Sequence, residues 1–186
     1  MHDNQRQTHW AYMAGIMDAD GAFMITSHKR KTRNKETIRA KKFPKNVENW
    51  AITYMQALKV AMVEIDALEF FKNTLNLGNI YLNGVRASRP NNKPIYMWYL
   101  RKIDDVIYCL QNIIPYLKVK KERAEFLLDF CNKRKNYKNP CYRGICKDEL
   151  EFREYSYNKM RELNGTKVAA TTKPSGLERV SDSLNS

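Results

Sequence analysis

Two aspartates, Asp18 and Asp20, close a stretch, residues 8–20, that otherwise carries no Asp, Glu, Lys or Arg. A carboxylate in the last turn of a helix meets the negative end of the helix dipole, so Asp20 calls for compensation. The two side chains are two positions apart, about 200° around a helix, and cannot face one cleft. One of them therefore has a structural task. If the helix meets a second copy of itself about a two-fold axis, the Asp20 side chains approach at the dyad. Like charges there call for protonation or a divalent cation. Few carboxylates, open coordination positions and nearby phosphates suit magnesium. The plainer alternative is a core helix that leaves through an Asp-Gly turn.

The helix that must carry these groups runs from a Thr8 N-cap through Trp10, Ala11, Tyr12, Met13, Ala14, Gly15, Ile16 and Met17. It is apolar on every face, which in so short a chain predicts that its outer face is covered by another subunit. Ala11, Gly15 and Ala19 recur every fourth residue and form a ridge of small side chains, on which a partner helix can approach to near backbone contact. With Ala14 and Asp18 they make the expected dimer interface, and the simplest partner is the same helix of a second copy.

Beyond Gly21 the texture changes to strand-like alternation, Phe23 and Ile25 on one side, Met24, Thr26, His28 and Arg30 on the other. Residues 29–45 hold nine Lys or Arg and one Glu and read as a strand end and a long connection. A second strand is predicted at 57–65. A short helix follows at 68–77, opened by a capping box on Asp66 and Glu69 and closed by Gly78. Strands at 80–86 and 95–101 come next. Asp104 or Asp105 caps a helix reaching Ile113, Pro115 breaks the chain, and Ala124, Leu127, Leu128 and Cys131 mark the buried stripe of a later helix. A final helix covers 148–163, ahead of a polar tail. This order describes an α+β fold, a four-stranded antiparallel sheet with helices on one face and the other face polar and free. The chain divides into a core, 1–135, and a C-terminal helix with a basic tail, 136–186.

The 186 residues include 33 Lys plus Arg against 20 Asp plus Glu, a formal net charge of +13, and 43% are apolar. Such a chain has a core, so its charge sits on a folded surface and points to nucleic acid first, an anionic membrane second and an acidic protein third. No apolar run approaches the roughly 20 residues of a membrane span and the N-terminus lacks a secretory signal. The expectation is a soluble intracellular protein with no membrane partner and no small-molecule substrate. Cys109, Cys131, Cys141 and Cys146 are expected as free thiols. A zinc site on Cys141 and Cys146 lacks a nearby histidine, since His2, His9 and His28 lie at the other end of the chain.

The run Met13-Ala14-Gly15-Ile16-Met17-Asp18-Ala19-Asp20-Gly21 closely resembles the nine-residue signature of the LAGLIDADG homing endonucleases, differing only at three apolar positions that remain apolar. Leu68 to Gly78 followed by Asn79, Ile80 and Tyr81 resembles the family's second helix and next strand. Pro115 to Ala124 resembles its late lysine-bearing segment. The tail, through Leu163-Asn164-Gly165-Thr166-Lys167 and Ser181-Asp182-Ser183-Leu184, resembles the single-motif, homodimeric group of the Chlamydomonas chloroplast-intron enzyme.

The resemblance implies a homing-endonuclease fold whose sheet forms a saddle on double-stranded DNA, dimerising through the motif helix. It implies staggered cleavage of both strands of a long pseudo-palindromic site by metal-dependent phosphodiester hydrolysis. The implied cofactor is Mg2+, with Mn2+ able to substitute and Ca2+ supporting binding without cleavage. Asp20 is then the metal carboxylate, and the main-chain carbonyl of Ala19 helps hold the metal or its water. Lys120 matches the active-site lysine, although Lys118, Lys120, Lys121 and Arg123 are equally a basic cluster able to touch phosphates. Glu64 falls where relatives order water, or is simply a solvent-facing residue before a capped helix.

On the free sheet face, Thr26, His28, Arg30, Arg33, Lys59, Tyr81, Asn83 and Arg86 are the candidates for DNA contact, as a two-stranded ribbon fits the major groove. The implied setting is an intron-encoded protein of an organelle or of bacterial or phage cytoplasm. The alternatives are an RNA maturase or non-cleaving DNA-binding protein of the same fold, and a basic RNA-binding protein. The last predicts aromatic side chains exposed on the sheet, whereas alternation puts Phe23 on the apolar side.

Overall fold

The computed structural model describes residues 2–29, 52–82, 93–137 and 147–165. The elements follow in the order α1 (His2–Ala19), β1 (Gly21–Lys29), β2 (Ile52–Met62), α2 (Asp66–Thr74), β3 (Asn79–Leu82), β4 (Tyr96–Leu100), α3 (Ile103–Ile113), α4 (Lys121–Asn136) and α5 (Lys147–Leu163), with one 3-10 turn at Ile114–Tyr116. The strands form one antiparallel sheet in the order β1-β2-β4-β3. This is the predicted α+β arrangement.

Side chains alternate across a strand, and pairing transmits that alternation from strand to strand. Phe23 lies opposite Leu58, Val60 opposite Trp98, and Ile80 opposite Trp98 from the other side. Phe23, Leu58, Val60 and Trp98 are fully buried beneath the helices, joined by Met13 and Met17 of α1, Phe71 of α2, Leu110 of α3, Leu127 of α4 and Met160 of α5. Helix α5 thus belongs to the same core as the sheet, and Asn164 just beyond it donates to the Phe23 carbonyl of edge strand β1 at 2.9 Å. The opposite face carries Ala22, Met24, Thr26 and His28 of β1 with Lys59, Ala57, Met55 and Thr53 of β2 opposite them.

Several local expectations give way to the structure. Helix α1 starts at His2, so Thr8 is no cap; its hydroxyl donates back to the Asn4 carbonyl at 2.9 Å. Strand β2 starts at Ile52 and ends at Met62, five residues earlier than predicted at the start and three at the end, because Gln56 interrupts the apolar alternation. Gln56 is buried, and its amide bonds the Arg101 carbonyl and the Arg134 guanidinium, which satisfies it inside. Asp66 lies inside α2, whose N-cap is Ile65 without a side-chain bond. Asp104 and Asp105 likewise lie in the first turn of α3, with Lys102 as N-cap. In both helices the acidic residues face the positive dipole end from within. Gly78 is needed twice, for its φ of 74° and because a Cβ would come within 2.3 Å of the Trp98 indole nitrogen. That nitrogen donates to the Leu77 carbonyl at 2.7 Å.

Candidate active site

The C-terminal end of α1 is a helix end like any other in one respect: its last carbonyls have no partner inside the helix. Lys120, the N-cap residue of α4, supplies it. Its ammonium donates to the carbonyls of Met17 at 3.2 Å, Ala19 at 2.9 Å and Gly21 at 2.7 Å, using all three of its hydrogens. Asp18 returns the exchange. Its carboxylate accepts the backbone N–H groups of Lys118 at 2.7 Å, Val119 at 3.2 Å and Lys120 at 2.9 Å. An anion of α1 therefore sits at the positive end of α4, and a cation at the start of α4 sits at the negative end of α1. Both placements are favoured by the helix dipoles.

Gly21 makes the close turn into β1 feasible, because a Cβ there would lie 2.6 Å from the Met17 backbone. Burial alone would raise the Asp18 carboxyl, but the three backbone donors outweigh it and hold the group below its ordinary range. For Lys120, burial first and the Arg123 charge second pull the ammonium below the usual lysine range, against Asp18 and Asp20. Asp20 is exposed beside this cluster; its backbone N–H donates to the Ile16 carbonyl at 2.9 Å, and its carboxylate has no hydrogen-bond or ion-pair partner among the described residues. The Asp18 carboxylate is thus engaged within its own chain, whereas the Asp20 carboxylate is exposed.

Asp18→Asn tests this division. The amide keeps one acceptor but turns an N–H2 toward backbone donors, so we expect a loss of about 1–3 kcal/mol. Thermal unfolding should shift downward by several degrees. An unchanged midpoint would mean that the three short contacts carry no weight.

The other predicted residues are distributed as follows. Ala11, Gly15 and Ala19 are exposed along one face of α1, whereas Ala14 is fully buried against the chain's own core. Ala14 thus leaves the expected interface, and so does the Asp18 carboxylate, which is engaged within its own chain. The helix is not apolar all round in its packing: Trp10, Met13, Ala14 and Met17 are buried, and the ridge faces out. Glu64 lies two residues past β2, exposed, with Lys93 at 3.8 Å, a surface pair with both side chains about three-quarters exposed. That geometry favours the solvent-facing alternative for Glu64.

Thr26, His28 and Lys59 lie on the open sheet face, as does Tyr81, paired with Met97 and 53% exposed. Arg30, Arg33, Asn83 and Arg86 lie outside the described residues, as do Cys141 and Cys146. Cys109 and Cys131 are buried free thiols. Residues overlooked in the sequence complete the face: Thr53 and Met55 of β2, Met97 and Tyr99 of β4, and Arg101, whose guanidinium lies 4.5 Å from the Tyr99 ring centre. Starting β2 at Ile52 would have revealed the first two by alternation alone. Phe23 is buried as alternation predicts, yet Tyr81 and Tyr99 do stand on the open face.

No protein-family model matches the chain, and no curated protein sequence is similar to it. Solved structures do match. The homing endonuclease I-CvuI, in complex with the I-CreI target in the presence of Mg with the DNA not cleaved, superposes with a TM-score of 0.63 at 18% identity, over 90% of this chain and 89% of that one. The archaeal intron-encoded homing endonuclease I-Vdi141I, complexed with DNA, gives 0.60 at 14% identity, over 98% and 91%. The group I intron-encoded homing endonuclease I-CeuI, also complexed with DNA, gives 0.55 at 12% identity, over 86% and 69%.

This chain has the LAGLIDADG homing-endonuclease fold. In that fold the motif helix is α1, the exposed ridge is its outer face, and the sheet open to solvent is β1-β2-β4-β3. The fold accounts for the helix order and the strand order.

Proposed function

We propose that this protein is a site-specific DNA endonuclease of the homing type, acting as a homodimer on a long pseudo-palindromic duplex. The observation that carries the proposal is the end of α1, where the exposed Asp20 carboxylate, the main-chain oxygens of Met17, Ala19 and Gly21 and the Lys120 ammonium meet at the start of edge strand β1. The oxygen donor set suits a hard divalent cation, and the cluster already attracts a cation in the form of the Lys120 ammonium. Among the described residues no group of three or more His, Cys, Asp or Glu side chains comes together. One chain thus offers the Asp20 carboxylate and the Ala19 carbonyl, and the remaining ligands would be the second copy's Asp20, phosphate oxygens and water.

Magnesium bound there would activate water, polarise the phosphate and neutralise the leaving oxygen. The chain's own residues do the rest. Lys120, fixed by Asp18 through the backbone of 118–120, presents a positive charge to the phosphate as negative charge accumulates on it. Thr26, His28, Lys59, Tyr81 and Arg101 position the duplex on the sheet, and the net charge of +13 draws it in. Among the described residues no helix is long and apolar enough to cross a membrane. We place the protein with its DNA inside the cell, in an organelle or in bacterial or phage cytoplasm.

A cleavage selection on a randomised duplex library with magnesium tests the proposal. Recovery of one long, two-fold symmetric site cut on both strands supports it. Binding without cutting in magnesium or manganese would favour the non-cleaving alternative.

The dimer has its own test. A Cβ added to Gly15 meets nothing within 4 Å in the single chain, so Gly15→Leu costs the protomer no contact and replaces a poor helix former, worth about 1 kcal/mol. In the dimer the same side chain wedges the two helices apart. Sedimentation should show monomers of undiminished thermal stability, and an intact dimer would contradict the proposed interface.

A further inference from the structure

The open face of the sheet is not uniformly polar, and its apolar part has a definite place. Met24 of β1 lies opposite Ala57 of β2, and Met55 opposite Thr26. Neither Met24 nor Met55 packs into the core, and both remain partly exposed on the side away from the helices. Ala57, fully buried between them, forms the floor. Among the described residues the polar side chain inside the patch is Thr26, and its hydroxyl is already engaged. Thr26 Oγ1 donates to the Met55 carbonyl at 3.2 Å and lies 3.2 Å from His28 Nε2, so the methyl is the part of this partly exposed side chain left for an apolar contact. Around the patch stand His28, Lys59 and Arg101, the last donating to the Tyr99 hydroxyl at 3.4 Å.

We propose, resting on the endonuclease reading above, that Met24, Met55 and the Thr26 methyl read thymine methyl groups at fixed positions in each half-site. In the major groove the thymine 5-methyl is the one apolar group a natural base pair presents, and every other edge offers donors or acceptors. A base whose polar edge faced this patch would lose its water and gain no partner, which costs more than a missing contact. Methionine adds a flexible, polarisable surface that follows a methyl group closely. A strand advances about 3.3 Å per residue and B-DNA about 3.4 Å per base pair, so a strand lying along the groove moves roughly one pair per residue. Counted from Asp20, Met24 reaches about four pairs outward and Thr26 with Met55 about six. Polar reading by His28 and Thr53 starts only beyond them.

The test uses the duplex, so the protein stays intact. The site recovered from a randomised library should carry thymine on one strand in the window four to six pairs from each cut. Replacing those thymines by deoxyuridine removes only the methyl group and should weaken binding about fourfold per position, the worth of one buried carbon. Replacing cytosine by 5-methylcytosine in the same window should strengthen binding by a similar factor. The Met24→Gln, Met55→Gln double variant should lose most of the preference for thymine over uracil duplexes, with an unchanged melting temperature.

Equal affinity of the unaltered protein for thymine and uracil duplexes overturns the inference, and so does a selected site lacking thymine in that window. In both cases the endonuclease reading stands. Preference for a uracil-bearing RNA over every DNA duplex overturns both and turns the face over to RNA.

Discussion

Asp20→Asn is expected to leave a protein that folds, dimerises and holds its duplex but does not cut it. The side chain is exposed and makes no hydrogen bond or ion pair among the described residues, so its replacement by an isosteric amide removes nothing from the fold. Stability should change by less than about 0.5 kcal/mol. The loss falls on catalysis, because an amide is a poor ligand for a divalent cation where a carboxylate is needed. A site that forfeits several kcal/mol of charge stabilisation slows by about 10³-fold or more. Single-turnover cleavage and equilibrium binding, measured on the same duplex, separate the two effects. Loss of binding together with cleavage would instead give Asp20 a folding or docking role.

Lys120→Met carries the second large effect. The uncharged side chain keeps the length of lysine and lets the strap of residues 118–120 stay in place, because Asp18 holds that strap by its backbone rather than by the Lys120 side chain. The carbonyls of Met17, Ala19 and Gly21, where α1 passes into β1, lose this donor, which lowers stability by about 1 kcal/mol. Cleavage in magnesium should fall by roughly 10²–10³-fold, the usual consequence of deleting one group that stabilises charge in a transition state. Lys120→Arg restores the charge and should recover part of the rate. A single-turnover rate unaffected by the methionine would reduce Lys120 to a helix cap.

Much of this was legible in the residue order, and the parts that were not share a cause. The alternation of β1, the buried stripe of α4 and the opposition of Phe23 to Thr26 follow from periodicity, which reports burial within one element; the order β1-β2-β4-β3 in the sheet does not. What periodicity does not report is a bond between residues about a hundred positions apart. Asp18 shows this best: its spacing from Asp20 says that one carboxylate is structural, but only the approach of Lys118, Val119 and Lys120 says which. Ala14 fails as an interface residue for a related reason, since small side chains on two faces of a helix look alike until one face is covered. Strand β2 was misplaced because a buried Gln56 mimics the end of an apolar run, and the amide is tolerated only through Arg101 and Arg134. The basic stretch of 29–45 has no alternation, and the sequence offers no register for it.

The mutual clasp of α1 and α4 also bears on how the molecule would fail under stress. Its lysine is anchored on the main chain where α1 passes into β1, and the strap that aims it hangs from one carboxylate. Mild heat or denaturant that releases this strap would disarm the blade while the sheet still grips its substrate. If the proposed function holds, cutting should thus be lost on warming before binding is.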